Sequence, residues 1–415
     1  MEIVLLDEFR FDQFAINHPY SNYYQTSNYG KLMNSHGYNA YYLGLVDDYG
    51  NIEAATLLTV KNDKNNRRKM AYAPRGFLID WDNNELVKDF TIKLKDYLLK
   101  RNFTYLKVDP YIVYKEHDEN GNEKLQAQNN LNFVQKMQSI GYIHMGYNNG
   151  LEASNPRWDA LTILDENPIT LFNSLNKTTR NKIKEALEYG NRVYKGTSND
   201  INLLHGLSND SQPLELLADY YQFFGKNDGC EIYFTKMEPA KYVNESKAKY
   251  EKEEQRNNEL NMQMQDWNNP NKENIINYKL KSDELLSVYK KNMIQAINTF
   301  QQYPSGIITS GLVVIKHNKK ISFVACNVNE RFKDQFPNYI LIWQLMQEFA
   351  KQGYKIADFN GITGNLKNDP TNIEKIELSN KIVEYVGEFD LVINKKAYYT
   401  GNKLNPILNW LNTPI

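Results

Sequence analysis

The chain has 415 residues, 41% of them hydrophobic, which is enough for a substantial core and suggests two to three domains. With 49 basic and 50 acidic residues and a net charge of −1, it falls outside the broadly basic class that binds nucleic acid non-specifically. Its two cysteines, Cys230 and Cys326, make neither a disulfide framework nor a zinc site, and both read as small buried residues.

The opening Met1-Glu2-Ile3-Val4-Leu5-Leu6-Asp7-Glu8 carries acid where a signal peptide needs positive charge, and no apolar run approaches the ~18 residues that span a bilayer. The expectation is a cytoplasmic protein. Residues 41–46 and 53–60 predict strands joined across Asp48-Tyr49-Gly50-Asn51, a hairpin. Residues 69–73 predict another strand, 85–99 a helix and 105–109 a strand, with a further helix before Gly141. The order then repeats loosely: a strand over 158–164, helix around 168–189, a helix over 214–224 and a strand over 231–236. Residues 306–316 and 320–327 predict strands, 338–352 a helix, 356–359 a strand and 382–389 a final strand. Two similar α+β units follow from this alternation.

Within the second of them, residues 239–304 read as an inserted helical hairpin. Val243, Tyr250, Asn257 and Met264 recur every seven residues, with Leu260 and Trp267 at the offset positions. Asn268-Asn269-Pro270-Asn271 marks the turn, and Leu286, Met293 and Phe300, with Tyr289 and Ile297 between them, supply the returning seam. Helices of roughly 30 residues would project about 45 Å. Such an arm is either a stabilising or dimerising coiled coil or a partner-binding device. Its balanced charge lacks the positive field that phosphate binding needs.

Local signals for chemistry are sparse. His18, His36, His117, His144, His205 and His317 are scattered without metal-ligand spacing, and neither a nucleophile elbow nor a phosphate or dinucleotide loop is present. No metal ion or cofactor is implied. Gly361-Ile362-Thr363-Gly364-Asn365 reads either as a simple turn or as a nest of backbone N–H groups for an anion.

Several separated stretches together resemble the FemABX family. They are Ala71-Tyr72-Ala73-Pro74-Arg75-Gly76 followed by Asp80, Tyr105-Leu106-Lys107-Val108-Asp109-Pro110-Tyr111, Arg180-Asn181-Lys182-Ile183-Lys184-Glu185-Ala186, Asp358-Phe359-Asn360-Gly361-Ile362-Thr363-Gly364 and Glu384-Tyr385-Val386-Gly387-Glu388-Phe389. The helical hairpin stands where staphylococcal-type members carry theirs, and the likeness covers nearly the whole chain. The resemblance implies an α+β protein of two acetyltransferase-like (GNAT-type) subdomains with an inserted antiparallel coiled-coil arm. The expected segments are 1–165 for the first subdomain, 166–238 and 305–398 for the second, 239–304 for the arm and 399–415 for a C-terminal helix. The implied activity is transfer of glycine, alanine or serine from aminoacyl-tRNA to the stem-peptide amine of a peptidoglycan precursor such as lipid II, at the inner face of the membrane. The contact with the membrane would be peripheral, and a homodimer or a heterodimer with a paralogue is open.

Aminolysis of an ester needs placement and oxyanion stabilisation rather than a nucleophilic side chain. By resemblance Asp109 accepts or orients the amine proton, though an Asx turn before Pro110 is the alternative. Lys31 matches a lysine that contacts precursor phosphate, and Lys375 is the nearest match to one serving the acyl group or tRNA end. Tyr72, Arg75, Tyr105, Arg180, Gly361, Thr363 and Gly364 are carried over as substrate-binding candidates, with a core ion pair the competing reading of both arginines. The chain also departs from the family: Phe and Gly around Lys375 are replaced, an Arg and a Tyr of one member become Gln212 and Leu216, and a tyrosine is lost near Phe323-Val324-Ala325-Cys326-Asn327. These departures favour a lipid-linked or otherwise distinct acceptor and leave open an inactive or resistance-type paralogue that binds without turnover. An acyl-coenzyme A N-acetyltransferase would need a basic, glycine-rich pyrophosphate loop, which is absent, and a plain scaffold would leave the flanking motifs unexplained.

Overall fold

The computed structural model describes residues 1–61, 69–118, 120–124, 130–265 and 271–402. Its body is two mixed sheets, of seven and eight strands among the described residues. In the first, Ile52–Lys61 lies between Tyr38–Val46 and Lys69–Ala73, and Lys69–Ala73 runs parallel to Phe103–Val108 up to the pair Ala73–Val108. The second repeats the arrangement: Ile307–His317 pairs antiparallel with Lys320–Val328, which runs parallel to Ile356–Asp358 up to the pair Ser322–Asp358. Parallel neighbours need a long crossover, and a helix supplies each, Asn84–Leu99 and Pro337–Lys351. Val87, Phe90, Leu94 and Leu98 on one helix, and Leu341, Leu345 and Phe349 on the other, recur at three- and four-residue spacing and bury one stripe against the sheet. These two repeats are the halves of the body.

The halves exchange strands. Val113–His117 pairs with Lys381–Tyr385 in the second sheet, and Phe389–Val392 inserts between Phe103–Val108 and Tyr142–His144 in the first. Trp158–Ile163 also belongs to the second sheet, so sheet membership crosses the expected bounds at 165 and 166. The expected strand over 382–389 is therefore two strands in different sheets. Gly387, with φ +88°, carries the chain between them in a conformation that favours glycine.

Other elements differ from expectation for local reasons. Leu175 is extended, and the Asn176 side chain accepts the Thr179 N–H at 2.8 Å, so the helix expected around 168–189 is Pro168–Ser174 followed by Lys177–Glu188. The sequence reading passed over Glu8–Asn17 and Ser27–Ser35, whose N-caps are Asp7 and Thr26.

The arm is two helices, Pro239–Gln265 and Lys272–Gln302, packed along each other over a length of about 40 Å. Tyr242, Ser246, Glu253, Asn257 and Leu260 are buried on one helix, and Ile275, Ser282, Ala296 and Thr299 on the other. Asn257 and Leu260 are buried as the heptad expects, and Val243 packs partly buried beside the buried Tyr242, whereas Ile297 and Phe300 stay exposed and a polar layer forms around Asn257. Asn257 donates to Ser282 at 3.1 Å and to Asp283 at 2.9 Å, and Ser282 donates to Glu253 at 2.7 Å. The turn residues Asn268, Asn269 and Pro270, the seam position Trp267, and residues 403–415 of the expected C-terminal helix lie outside the described residues.

Candidate active site between the two sheets

Where the first parallel pair ends at Ala73 and Val108, the chain continues as Pro74-Arg75 on one strand and Asp109-Pro110 on the other. Arg75 has φ +50°, which turns its N–H onto Asp109 Oδ1 at 2.8 Å. Tyr72 donates its hydroxyl to the same oxygen at 3.0 Å, Asn155 donates to Oδ2 at 2.9 Å, and the Arg75 guanidinium stands 3.7 Å from Oδ2. Asn155 arrives there because Lys107 binds Glu388 at 2.7 Å and Glu388 accepts the Ser154 N–H at 2.7 Å. The guanidinium also donates to the Pro156 carbonyl at 2.7 Å and lies 4.5 Å from the centre of the Tyr385 ring. Burial pushes the Asp109 carboxyl above its ordinary range against the pull of Arg75.

The second parallel pair ends in a matching cluster. Asp358 binds Lys320 at 2.8 Å and accepts the Asn360 N–H at 2.7 Å, and Lys320 also donates to the Tyr111 hydroxyl. Asn360, at φ +59°, accepts the hydroxyls of Tyr23 at 3.2 Å and Tyr24 at 3.3 Å, which joins it to the first half. Asp159, beside Asp358, accepts the Gly361 N–H at 2.9 Å, and Lys375 donates to the Gly361 carbonyl at 2.7 Å. Burial and the charge of Asp358 push Asp159 well above the ordinary range, whereas Lys320 overcomes burial and holds Asp358 below it. Burial lowers Lys375, opposed by Asp159 and Asp358. Arg75 acts electrostatically on both Asp109 and Asp159, so one polar seam runs from the end of the first parallel pair to the end of the second.

The structure thus brings Tyr72, Arg75, Asp109, Gly361 and Lys375 together. Tyr105 lies two pleats before Asp109, edge-on to Tyr398 at 5.3 Å. Lys31 is half-exposed and pairs with Glu8 at 2.6 Å, and Arg180 bonds Asn173 at 3.0 Å on the outside of the second half. Of the stretch 361–365 offered as a nest, the first four N–H groups are committed inside the protein. Gly361 donates to Asp159, Ile362 to the Trp158 carbonyl, Thr363 to Asn372 and Gly364 to the Asn149 carbonyl. Thr363 and Gly364 are fold-forming; a side chain at Gly364 would meet Trp158 at 2.6 Å. Asp159, Lys320, Tyr111 and Asn155 were not singled out from sequence. Asp159 had one signal, a carboxylate inside an otherwise apolar strand.

Beyond Ser322 the Lys320–Val328 strand parts from Ile356–Asp358, and Cys326 stands exposed in the gap. This corrects the reading of Cys326 as buried; Cys230 is buried. The surrounding protein and Glu374 raise the Cys326 thiol above its ordinary range, so no group there activates it as a nucleophile. The Pro337–Lys351 helix begins at the same gap with carboxylates beside it: Asn338 donates to Glu374 at 2.9 Å, and Tyr339 and Lys182 bind Glu377 at 2.5 and 2.6 Å. Those carboxylates would repel a pyrophosphate seated at this helix start. Among the described residues no three His, Cys, Asp or Glu side chains are grouped to hold a metal, and no helix is long and apolar enough to cross a membrane.

A model described as the FemAB family matches residues 6–405. Aminoacyltransferase FemA of Staphylococcus aureus strain bovine RF122 / ET3-1 is 23% identical over 97% of this chain and 98% of its own, and the protein of the same name from strain MRSA252 gives the same values. A crystal structure of FemX superposes with a TM-score of 0.72 at 18% identity, covering 96% of this chain and 99% of that one.

Proposed function

The chain belongs to the FemAB family and is an aminoacyltransferase, and from that premise we propose that it moves an amino acid from aminoacyl-tRNA to the stem-peptide amine of a lipid II-type precursor, building a peptidoglycan interpeptide bridge. The supporting observation is the buried seam at the ends of both parallel pairs, where Arg75, Lys320 and Lys375 face Asp109, Asp159 and Asp358 beside an unactivated thiol. Such a site suits aminolysis. The neutral amine attacks the ester carbonyl, the C–N bond forms, the C–O bond breaks, and the ribose oxygen leaves with the proton released by the amine.

Within this reading Lys375 faces the developing oxyanion: one of its N–H bonds goes to Gly361, which fixes the ammonium and leaves two for the substrate. Asp109, with four donors around it, orients rather than abstracts, and its partners Arg75 and Tyr72 set the floor of the acceptor side. A lipid-linked acceptor would bring the protein to the inner face of the membrane by peripheral contact.

The test is incubation of the full chain with lipid II and a pool of charged tRNAs, with a control lacking tRNA, read by mass spectrometry. A tRNA-dependent increment of one glycine, alanine or serine residue supports the reading and names the donor. A second reading, binding without turnover, draws on Gln212 and Leu216. Gln212 donates to the Val324 carbonyl at 2.9 Å and Leu216 is buried, so both serve packing. Precursor binding with no increment from any donor would select it.

A further inference from the structure

The gap between Lys320–Val328 and Ile356–Asp358 holds hydrogen-bond acceptors that lack donors. Asn338, only 5% exposed, spends its amide N–H on Glu374, while its Oδ1 has no partner. Glu374 receives that bond on Oε1 at 2.9 Å, and its other oxygen makes no hydrogen bond among the described residues. A buried amide oxygen left unbonded costs about 1–3 kcal/mol, so an acceptor pair retained beside open surface is suited to a donor that arrives with a ligand.

The nearby cations do not serve these acceptors. Lys375 points to the Gly361 carbonyl and the Asp159–Asp358 pair, and Lys182 is held by Glu377 and Tyr339. The open side of the gap is Cys326, whose thiol lies in electrostatic range of both Glu374 and Lys375. An acceptor-only wall next to the cation assigned to the oxyanion fits a primary ammonium carried one carbon from a reacting carbonyl.

We propose that Glu374 and Asn338 form the pocket for the α-ammonium group of the amino acid being transferred, and so distinguish an aminoacyl donor from a simple acyl donor. The inference rests on the transferase reading and specifies its donor side. Independent support comes from the carboxyl itself: burial pushes Glu374 up to about 7, against the opposing pull of Asn338, Lys375 and Lys182 and with the help of Glu377. An ammonium seated on its free oxygen would bring it back down.

The experiment measures binding by isothermal titration calorimetry to the intact protein. The probes are two hydrolysis-resistant adenosines carrying a 3′-amide, one alanyl and one propionyl, which differ by the ammonium group alone. The alanyl compound should bind at least tenfold more tightly to the wild type, and the preference should fall below threefold in Glu374→Gln and diminish in Asn338→Ser. Circular dichroism melting checks that both variants are folded. Equal binding of the two probes to the wild type, or full preference retained in folded Glu374→Gln, overturns the ammonium pocket and leaves the transferase reading standing. Failure of both probes to bind the wild type overturns the donor reading and the pocket with it.

Discussion

Asp109 and Arg75 are 34 positions apart in sequence and meet twice, through the Arg75 N–H at 2.8 Å from Oδ1 and through the guanidinium 3.7 Å from Oδ2. Both side chains are nearly inaccessible, so each neutralises a charge the other cannot expose to water. Replacing Asp109 by Asn leaves a buried guanidinium without its counter-charge and should cost about 3–5 kcal/mol. Urea denaturation monitored by tryptophan fluorescence gives the value, and a loss under about 1 kcal/mol would show that the pair is not coupled in this way.

Gly361 has φ +93°, and a Cβ there would stand 2.4 Å from the Pro156 side chain. Gly361→Ala should therefore destabilise by about 2–4 kcal/mol and displace the carbonyl that anchors Lys375. The expected signature is a lowered Tm together with a loss of transfer larger than the fall in folded fraction at assay temperature.

Glu374 has a defined pH signature. Its folded pKa, about 7, lies above the ordinary glutamate value of 4.5, so the folded state binds the proton more tightly and stability from this group is lost as pH rises from about 4.5 to 7. The full loss is on the order of 3 kcal/mol. Glu374→Gln removes it, so the variant should gain on the wild type as pH rises across that window. Stability difference curves that stay parallel from pH 4.5 to 8 would contradict the assignment.

Cys326 reaches solvent, and the surrounding protein and the neighbouring Glu374 push its thiol above the ordinary range. Labelling with a thiol-specific disulfide reagent at pH 8 should run more than tenfold slower than for a free cysteine. In Glu374→Gln the rate should rise.

In the arm, Ser282 accepts from Asn257 and donates to Glu253, and it is fully buried. Ser282→Ala takes the buried donor from Glu253 and one of two acceptors from Asn257, and should weaken the arm by about 1–3 kcal/mol. Hydrogen exchange should quicken in Pro239–Gln265 and Lys272–Gln302 while the sheets keep their protection.

The elements that could be read from sequence were those whose signals are local. The apolar, β-prone run over 53–60 and the helix over 85–99, whose Val87, Phe90, Leu94 and Leu98 form one buried stripe, each rest on residues close together in the chain. The arm was legible as a hairpin with Asn257 and Leu260 at its seam, but Glu253 and Ser282 were not, because buried polar partners leave no apolar signal. The seam was half legible: the motifs named Arg75, Asp109, Gly361 and Lys375, whereas Asp159 and Lys320 gain meaning only when strand pairing sets them beside Asp358. Sequence spacing carries no record of that pairing.

The insertion of Phe389–Val392 between Phe103–Val108 and Tyr142–His144 also orders events during synthesis. The first sheet stays divided until residue 392 has cleared the ribosome, so nearly the whole chain must be translated before its N-terminal third can close. Until then the edges of Phe103–Val108 and Tyr142–His144 are open to other partners. Nascent chains released before residue 381 should accordingly be protease-sensitive in both halves, since Lys381–Tyr385 joins Val113–His117 to the second sheet and Phe389–Val392 closes the first.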